Sequence, residues 1–302
     1  MAMLATFSTW LFYNSSISPI TGRRRLDMFS PELREKSSKI LFSMLSFLME
    51  RNQEVFDTDK ITYKAKLTEL MMDSMLEQTM VTESDNQYKR VVNIASILIQ
   101  NNEEIKLNPP KFHITQRKSL QAFSLGRHVI LSKGTLDMWT DTQLAFIIAH
   151  EISHNVLDHH VENLSWLLVE LVVSIMVVFH CIRRRVLLLA LFWLVVRPFK
   201  LLVSYPVGRL GEVEADDLGM EMMCRACFDI REVIMFWQVQ EYINPMGRRI
   251  LHLISDHPSH IDRLERMLQR MDEMLALRKN AGCEDLDKFL VLEMNILSWD
   301  DE

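Results

Sequence analysis

The chain has 302 residues, of which 48% are hydrophobic and 25% are charged, and its formal net charge is −6 at pH 7. This balance excludes a disordered or collagen-like protein, and the negative charge disfavours broad electrostatic binding to nucleic acid. Two short arginine runs, at 23–25 and 183–185, are too small to reverse that preference. We therefore expect a folded protein with a substantial core and no nucleic-acid partner.

The first part of the chain is expected to be helical after a short leading segment. Residues 1–30 contain an apolar patch too short to span a bilayer, and we set them apart as an N-terminal segment that could be a targeting remnant. Residues 31–302 would then form a single domain. Between residues 31 and 108, apolar residues recur at helical spacing, which predicts amphipathic helices packed on a core. The clearest run is Val91, Val92, Ile94, Ile97 and Leu98.

The pattern changes after Pro109 and Pro110. Three short runs rich in apolar or β-branched residues follow, at residues 112–115, 120–125 and 128–131, and polar residues or Gly126 separate them. Such runs predict a small antiparallel sheet of three strands. The expected fold class is therefore α+β, mainly helical, with this sheet beside the helices.

The most informative motif lies on the helix that Thr140 is predicted to open. Thr140 and Gln143 have the spacing of a capping box, and the apolar run after them leads into an H-E-x-x-H motif from His150 to His154. Residues four apart share a helix face, so both histidines can bind one metal ion. Glu151 lies beside them as a general base for a bound water, so the motif predicts zinc-dependent peptide hydrolysis.

A third ligand is needed to complete the zinc site, and the sequence offers two candidates. His160 has the spacing of the third histidine of metzincins, but that motif requires a glycine where this chain has Leu157, because the backbone must turn sharply. Glu212 lies in a predicted helix at 210–227 and shares a face with Asp216, four residues on. We favour Glu212 as the ligand, with Asp216 holding a ligand imidazole through its other N–H. The alternative is an acidic helix start that complements the helix dipole.

Two cysteines and two further helix starts complete the pattern. Cys224 and Cys227 form a C-x-x-C inside an apolar stretch that no second cysteine pair follows, so we interpret them as buried helical thiols. Asp229 is expected to cap the next helix. Ser259, with Asp262 three residues on, is expected to cap the last one. The predicted apolar stripe of that last helix is Ile261, Leu264, Leu268, Met271 and Leu275.

His150 to His154, followed by Glu212 and Asp216, resembles the gluzincin family of CAAX prenyl proteases and HtpX-type heat-shock peptidases. Within that family the chain most resembles the mitochondrial inner-membrane peptidases whose activity overlaps the m-AAA protease. The resemblance also covers residues 19–24, 126–136, 227–231 and 236–237, and the run 257–260 followed by Arg263. The chain departs from the family pattern at residue 121, where it has a glutamine and many members have asparagine. We expect the long import sequence of that branch to be missing or shortened, so mitochondrial targeting is inferred from the body of the chain only.

The resemblance implies a zincin-type metallopeptidase domain that binds one Zn²⁺ per chain through His150, His154 and Glu212. A zinc-bound water has its pKa lowered towards about 7. Glu151 would take a proton from that water and pass it to the leaving amine. The resemblance further implies that His257 of the His-Pro motif reaches the site, where it would stabilise the oxyanion or occupy the open metal position.

An apolar insert at residues 164–204 separates the two metal motifs. Its first run is long enough for a transmembrane helix, although Glu170 and His180 interrupt it, whereas its second run is too short alone. His154 and Glu212 must meet at one metal, so the chain between them crosses a bilayer twice or not at all. We expect a hydrophobic helical hairpin that either spans a membrane or lies in its surface. A hairpin buried in a soluble protein is disfavoured, because the first run is apolar on all sides.

The expected function is that of a zinc metalloendopeptidase that hydrolyses membrane-associated proteins. The resemblance implies stress-responsive quality control and processing at the mitochondrial inner membrane. The expected partners are the lipid bilayer and membrane-bound substrates that include a dynamin-like fusion GTPase, and self-association into a homo-oligomer is left open. The alternative is a catalytically silent membrane scaffold that keeps the fold to bind partners. The intact H-E-x-x-H motif and Glu212 favour the enzyme.

Overall fold

The computed structural model describes residues 9–34, 36, 85–184, 204–243 and 259–286, and this part of the chain is mainly helical. Its strands are β1 (Ser15–Ile17), β2 (Arg24–Leu26), β3 (Lys111–Thr115), β4 (Ala122–Leu125) and β5 (His128–Ser132). Its helices are α1 (Asn86–Gln100), α2 (Glu103–Lys106), α3 (Lys133–Met138), α4 (Asp141–Val156), α5 (His159–Arg184), α6 (Tyr205–Arg225), α7 (Glu232–Ile243) and α8 (His260–Asn280). The predicted α+β class with a helical majority is confirmed.

The small sheet is mixed rather than fully antiparallel. Its strand order is β3-β5-β4, with β3 parallel to β5 and β4 antiparallel to β5. The prediction of an antiparallel sheet was therefore wrong for β3, because the segment 116–121 carries the chain from one side of β5 to the other. That segment packs closely on α3, where a Cβ on Gly134 would lie 2.2 Å from the backbone oxygen of Lys118. Strand β4 is left at the edge of this sheet, beside α4.

Helix α4 lies at the centre of the fold, and its apolar residues are buried on nearly every side. It packs against α1, α6, α7 and β4. The approach of α6 is especially close, since a Cβ on Gly219 would lie 3.2 Å from the backbone nitrogen of His150. The predicted capping box begins α4: the Thr140 hydroxyl accepts from Gln143 N, and the Gln143 side chain accepts from Thr140 N, both at 3.2 Å. A helix that is buried on nearly every side thus carries the H-E-x-x-H motif.

The buried faces of α1 and α8 differ in detail from the predicted stripes. In α1, Val92 and Ile97 are 37% and 42% exposed, and Ala95 instead completes the buried face. Helix α8 begins as predicted, because Ser259 accepts a hydrogen bond from the Asp262 N–H at 3.1 Å. Its buried apolar face includes Met267, whereas Leu268 is 38% exposed. The earlier predicted helices at residues 37–84 lie outside the described residues.

Cys227 is not a buried helical thiol but half of a disulfide with Cys283, so that prediction was wrong. Cys227 lies beyond the end of α6 with a left-handed backbone, φ 62°, and faces the chain that follows α8. The two cysteines are 56 residues apart in sequence, a pairing that no local pattern can indicate. Cys224 is a buried free thiol, as predicted, and burial raises its pKa to about 12.

Helix α5 begins inside the fold and continues as an exposed apolar helix. Its first turns are buried through His159, Val161, Glu162 and Ser165. Farther along, large apolar side chains are exposed at Leu167, Leu171, Val172, Ile175, Met176, Val178 and Phe179. The segment His159–Phe179 is long and apolar enough to cross a membrane, with a mean hydropathy of 1.9. Of the predicted hairpin, residues 185–203 lie outside the described residues.

Candidate metal centre

Two helices bring three ligand side chains to one point. His150 and His154 extend from one face of α4, and Glu212 extends from α6, which packs across it. The Nε2 atoms of the two histidines are 3.1 Å apart. The Glu212 carboxylate lies 3.6 Å from His150 Nε2 and 3.4 Å from His154 Nε2. All three ligand atoms lie within 4.8 Å of one another.

This donor set fits a catalytic zinc ion. Two imidazole nitrogens and one carboxylate oxygen form one of the usual ligand sets of zinc peptidases, in which a fourth position is left for water. Tetrahedral zinc with bonds of about 2.0–2.2 Å places its ligand atoms roughly 3.3–3.6 Å apart. The separations of 3.1, 3.4 and 3.6 Å among the three side chains lie close to that range. His160, the rejected metzincin candidate, is not part of this cluster.

Asp216 holds the outward nitrogen of His150. Its carboxylate lies 3.0 Å from His150 Nδ1, so it can accept the Nδ1 proton while Nε2 faces the metal position. Asp216 in turn accepts a hydrogen bond of 2.7 Å from Arg263 Nε. Arg263 also lies 3.1 Å from the Glu212 carboxylate. The guanidinium therefore links a ligand carboxylate to the carboxylate that orients a ligand imidazole.

Charge pairing keeps both Asp216 and Arg263 ionised although they are buried. Burial alone would raise the pKa of Asp216, but the Arg263 charge and the hydrogen bond with His150 lower it overall. Burial alone would lower the pKa of Arg263, but Asp216 and Glu212 raise it. The guanidinium also lies over the Trp237 ring, 3.9 Å from its centroid. The resemblance marked Arg263 without assigning it a contact with the ligands, whereas the structure places it directly behind them.

The outward nitrogen of His154 contacts a residue that the sequence analysis did not identify. His154 Nδ1 lies 2.8 Å from His159 Nδ1, and His159 Nε2 lies 3.1 Å from the Glu214 carboxylate. Helix α4 ends at Val156, and Asp158 turns the chain with a φ of 51°. The left-handed turn thus falls one residue after the position where metzincins require glycine. As a result His159, and not His160, returns to the ligands.

Glu151 and the ligands line one cleft of about 860 Å³. The edge strand β4 forms one wall, and His260 and Trp237 contribute to the other side. Glu151 is 7% exposed, so its carboxylate lies in the sheltered part of the cleft beside the metal position. His257, the predicted fourth participant, lies outside the described residues. Its volume lies within the range of ligand-binding clefts.

The family model of peptidase family M48 matches residues 85–271. The chain is 29% identical over 294 residues to "Metalloendopeptidase OMA1, mitochondrial" of Bos taurus, which covers 93% of this chain and 50% of that protein. It is 27% identical over 302 residues to the protein of the same name in Danio rerio, covering 95% and 56%. It is also 27% identical over 157 residues to "Mitochondrial metalloendopeptidase OMA1" of Saccharomyces cerevisiae, covering 49% and 42%.

The chain spans about half the length of the curated relatives from Bos taurus and Danio rerio. The M48 match includes both metal motifs and all but the last turns of α8. The resemblance to the gluzincin peptidases, stated from the H-E-x-x-H motif and the downstream glutamate, is confirmed. The chain belongs to peptidase family M48.

Proposed function

We propose that the chain is a zinc-dependent metalloendopeptidase that cleaves membrane-associated proteins. The observation that carries this proposal is the convergence of His150, His154 and Glu212 with Glu151 in one cleft. A ligand set of this kind serves catalysis when a general base and an open approach lie next to it. A structural zinc site would instead be closed by four protein ligands.

The residues of the cleft have distinct tasks in peptide hydrolysis. Zinc held by His150, His154 and Glu212 would supply an acidified water and a Lewis acid for the scissile carbonyl. Glu151, beside this position, would act as the general base that takes up a proton and then transfers it to the leaving amine. The edge strand β4 offers its outer backbone groups to an extended substrate, which would lie along the cleft as an added strand. His257 remains our candidate for stabilising the oxyanion.

The membrane part of the proposal is supported by α5 and by the relatives. The apolar side chains that α5 exposes after its first turns are suited to lipid. Because α5 starts at His159, five residues after His154, the cleft lies close to the membrane that this helix would enter. The curated relatives are named as mitochondrial metalloendopeptidases. We propose that the enzyme acts at the mitochondrial inner membrane, in stress-responsive quality control and processing, with a dynamin-like fusion GTPase among its substrates.

The test compares wild type with Glu151→Gln, both purified in detergent or nanodiscs with zinc content measured. Wild type should carry one zinc per chain and cleave casein and a membrane-anchored fusion GTPase. Loss of the general base should lower kcat by about 100- to 10,000-fold with zinc retained.

The matched control is Glu104→Gln, which makes the same change in a glutamate paired with Arg225 outside the cleft. This control should keep wild-type activity. Equal cleavage by wild type and Glu151→Gln would refute the mechanism. A zinc-free, inactive wild type would favour the scaffold.

A further inference from the structure

The two ligand histidines are held from behind in different ways. His150 Nδ1 contacts a carboxylate directly, that of Asp216 at 3.0 Å. His154 Nδ1 instead contacts another imidazole, that of His159 at 2.8 Å, and a carboxylate follows only one step farther, at Glu214. The imidazole of His159 therefore lies between the ligand His154 and the carboxylate of Glu214.

Metal binding by His154 determines which ring nitrogens of His154 and His159 carry a proton. His154 faces the metal position with Nε2, so Nε2 must keep its lone pair and the ring proton must be on Nδ1. His154 Nδ1–H then donates to His159 Nδ1, which must accept. The His159 proton is consequently on Nε2, where it donates to the Glu214 carboxylate, 3.1 Å away.

We propose that His159 is a positioning residue that fixes the tautomer and ring orientation of His154, with Glu214 as the anion that orients His159. This inference rests on the metal centre proposed above. The reverse arrangement, in which His159 Nδ1–H donates to His154, would leave a proton on the ligand nitrogen. It would also turn the unprotonated Nε2 of His159 towards the negative Glu214 carboxylate, which is unfavourable.

The Glu214 carboxylate forms an ion pair with Arg23. Arg23 donates to its two oxygens at 2.9 and 3.0 Å and also pairs with Glu162 at 2.6 Å. The Arg23 guanidinium thus places a positive charge beside both Glu214 oxygens, which favours the carboxylate as the acceptor for His159. Arg23 comes from the turn between β1 and β2, so the N-terminal hairpin belongs to the support of the metal site. This places part of the segment set apart as residues 1–30 against the catalytic helices.

The arrangement parallels the support of His150. There, Arg263 pairs with Asp216, which holds the imidazole; here, Arg23 pairs with Glu214, which holds His159 and through it His154. His159 is 3% exposed, and its ring packs beside Gly211. A buried, doubly hydrogen-bonded imidazole has few alternative orientations, so it can transmit the orientation set by Glu214.

The test replaces His159 by two side chains of matched length. In His159→Gln, the terminal amide supplies one acceptor and one donor, so zinc affinity should stay within about threefold of wild type. In His159→Met, neither hydrogen bond can form, and zinc Kd should rise by about 10- to 100-fold. Zinc Kd is measured in the full chain by competition with a chromophoric chelator.

The matched control is His113→Met, which removes a histidine that also contacts a second histidine, His128, at 2.8 Å on the sheet and away from the cleft. Its zinc Kd should equal that of wild type. The proposal is overturned if His159→Met binds zinc as tightly as wild type, or if His159→Gln loses as much affinity as His159→Met. A wild type that binds no zinc would instead refute the metal centre itself, before any variant is compared.

A second measurement needs no variant and therefore does not depend on whether His159→Met folds. In ¹⁵N-histidine-labelled, zinc-loaded wild type, the ring resonances should show His154 as the Nδ1–H tautomer and His159 as the Nε2–H tautomer. An Nδ1–H tautomer at His159 would overturn the proposal.

Discussion

Arg263 shows how one buried charge supports several parts of the site. It contacts both Asp216 and Glu212 and is 8% exposed. Without zinc, its guanidinium is a positive charge in direct contact with both of these buried carboxylates. Its removal would leave those carboxylates uncompensated in a low-dielectric environment.

We expect Arg263→Met to lower the free energy of unfolding of the chelator-treated protein by about 3–5 kcal/mol, because a buried pair loses one partner. Urea denaturation at neutral pH measures this value. The control is Arg266→Met, one turn along α8, where a 43% exposed arginine pairs with Asp217 and its loss should cost less than about 1 kcal/mol. Equal losses in the two variants would show that Arg263 is not an internal counter-charge.

The sequence predicted the residues of the site that are related by helical spacing. His150, Glu151 and His154 share one helix, and Asp216 is one turn from Glu212, so a local pattern was sufficient to identify them. The residues behind the ligands could not be found in this way. Arg23, His159 and Glu214 meet only because a hairpin, a left-handed turn and α6 come together in space. Arg23 lay in a segment that the resemblance had marked, and Glu214 lay between the two marked carboxylates, but neither was assigned this role and His159 was not marked at all.

At the scale of elements, the contact between α4 and α6 determines the distance between the ligand histidines and Glu212. Gly219 lies where the two helix backbones approach closely, and a Cβ there would be 3.2 Å from His150 N and 3.4 Å from the backbone carbon of Ala149. A larger side chain must push the helices apart, since the atoms that it would meet belong to backbone. That displacement would act directly on the ligand geometry.

We therefore expect Gly219→Val to lower the free energy of unfolding by about 1–3 kcal/mol through overpacking and to weaken zinc binding. Denaturant unfolding and chelator competition measure the two effects. Gly211→Ala is the control on the same helix, because its Cβ would meet the His159 ring at an ordinary 3.5 Å. If Gly219→Val matched Gly211→Ala in both measurements, close packing at Gly219 would not govern the site.

The positions of the helices and strands were largely predictable from the sequence. Which of these segments pair with each other was not. The capping residues Thr140 and Ser259 marked two helix starts correctly, because capping is a local hydrogen-bond pattern. The parallel pairing of β3 with β5 and the Cys227–Cys283 bond were missed. Both depend on which distant segments come together, and hydrophobic spacing within one segment contains no information on that choice.

At the scale of the whole molecule, α5 begins inside the catalytic fold and continues as a helix whose apolar side chains are exposed. Its first turns hold His159 and Glu162 in the interior, whereas Leu171 and Ile175 are 53% and 58% exposed. The helix therefore has one end in the metal site and the other in an environment that we propose to be lipid.

We expect the wild-type chain to float with vesicles that contain cardiolipin and phosphatidylcholine in a density gradient. Leu171→Asp with Ile175→Asp should remain largely unbound, because a carboxylate at the bilayer centre costs about 2.5–3.5 kcal/mol. Zinc content should be unchanged, since both positions lie beyond the buried turns of α5. The control combines Val92→Asp with Ile97→Asp, at exposed apolar residues of α1, and this double variant should still float with the vesicles. Flotation of both double variants would argue against α5 as the membrane contact.

The arginines that support the ligands come from opposite ends of the described chain. Arg23 lies in the hairpin before α1, and Arg263 lies in α8, the last described helix. While the polypeptide is being synthesised, the H-E-x-x-H helix emerges long before Glu212, and Glu212 before Arg263. The set of contacts that holds the ligands therefore becomes complete only after α8 has been synthesised.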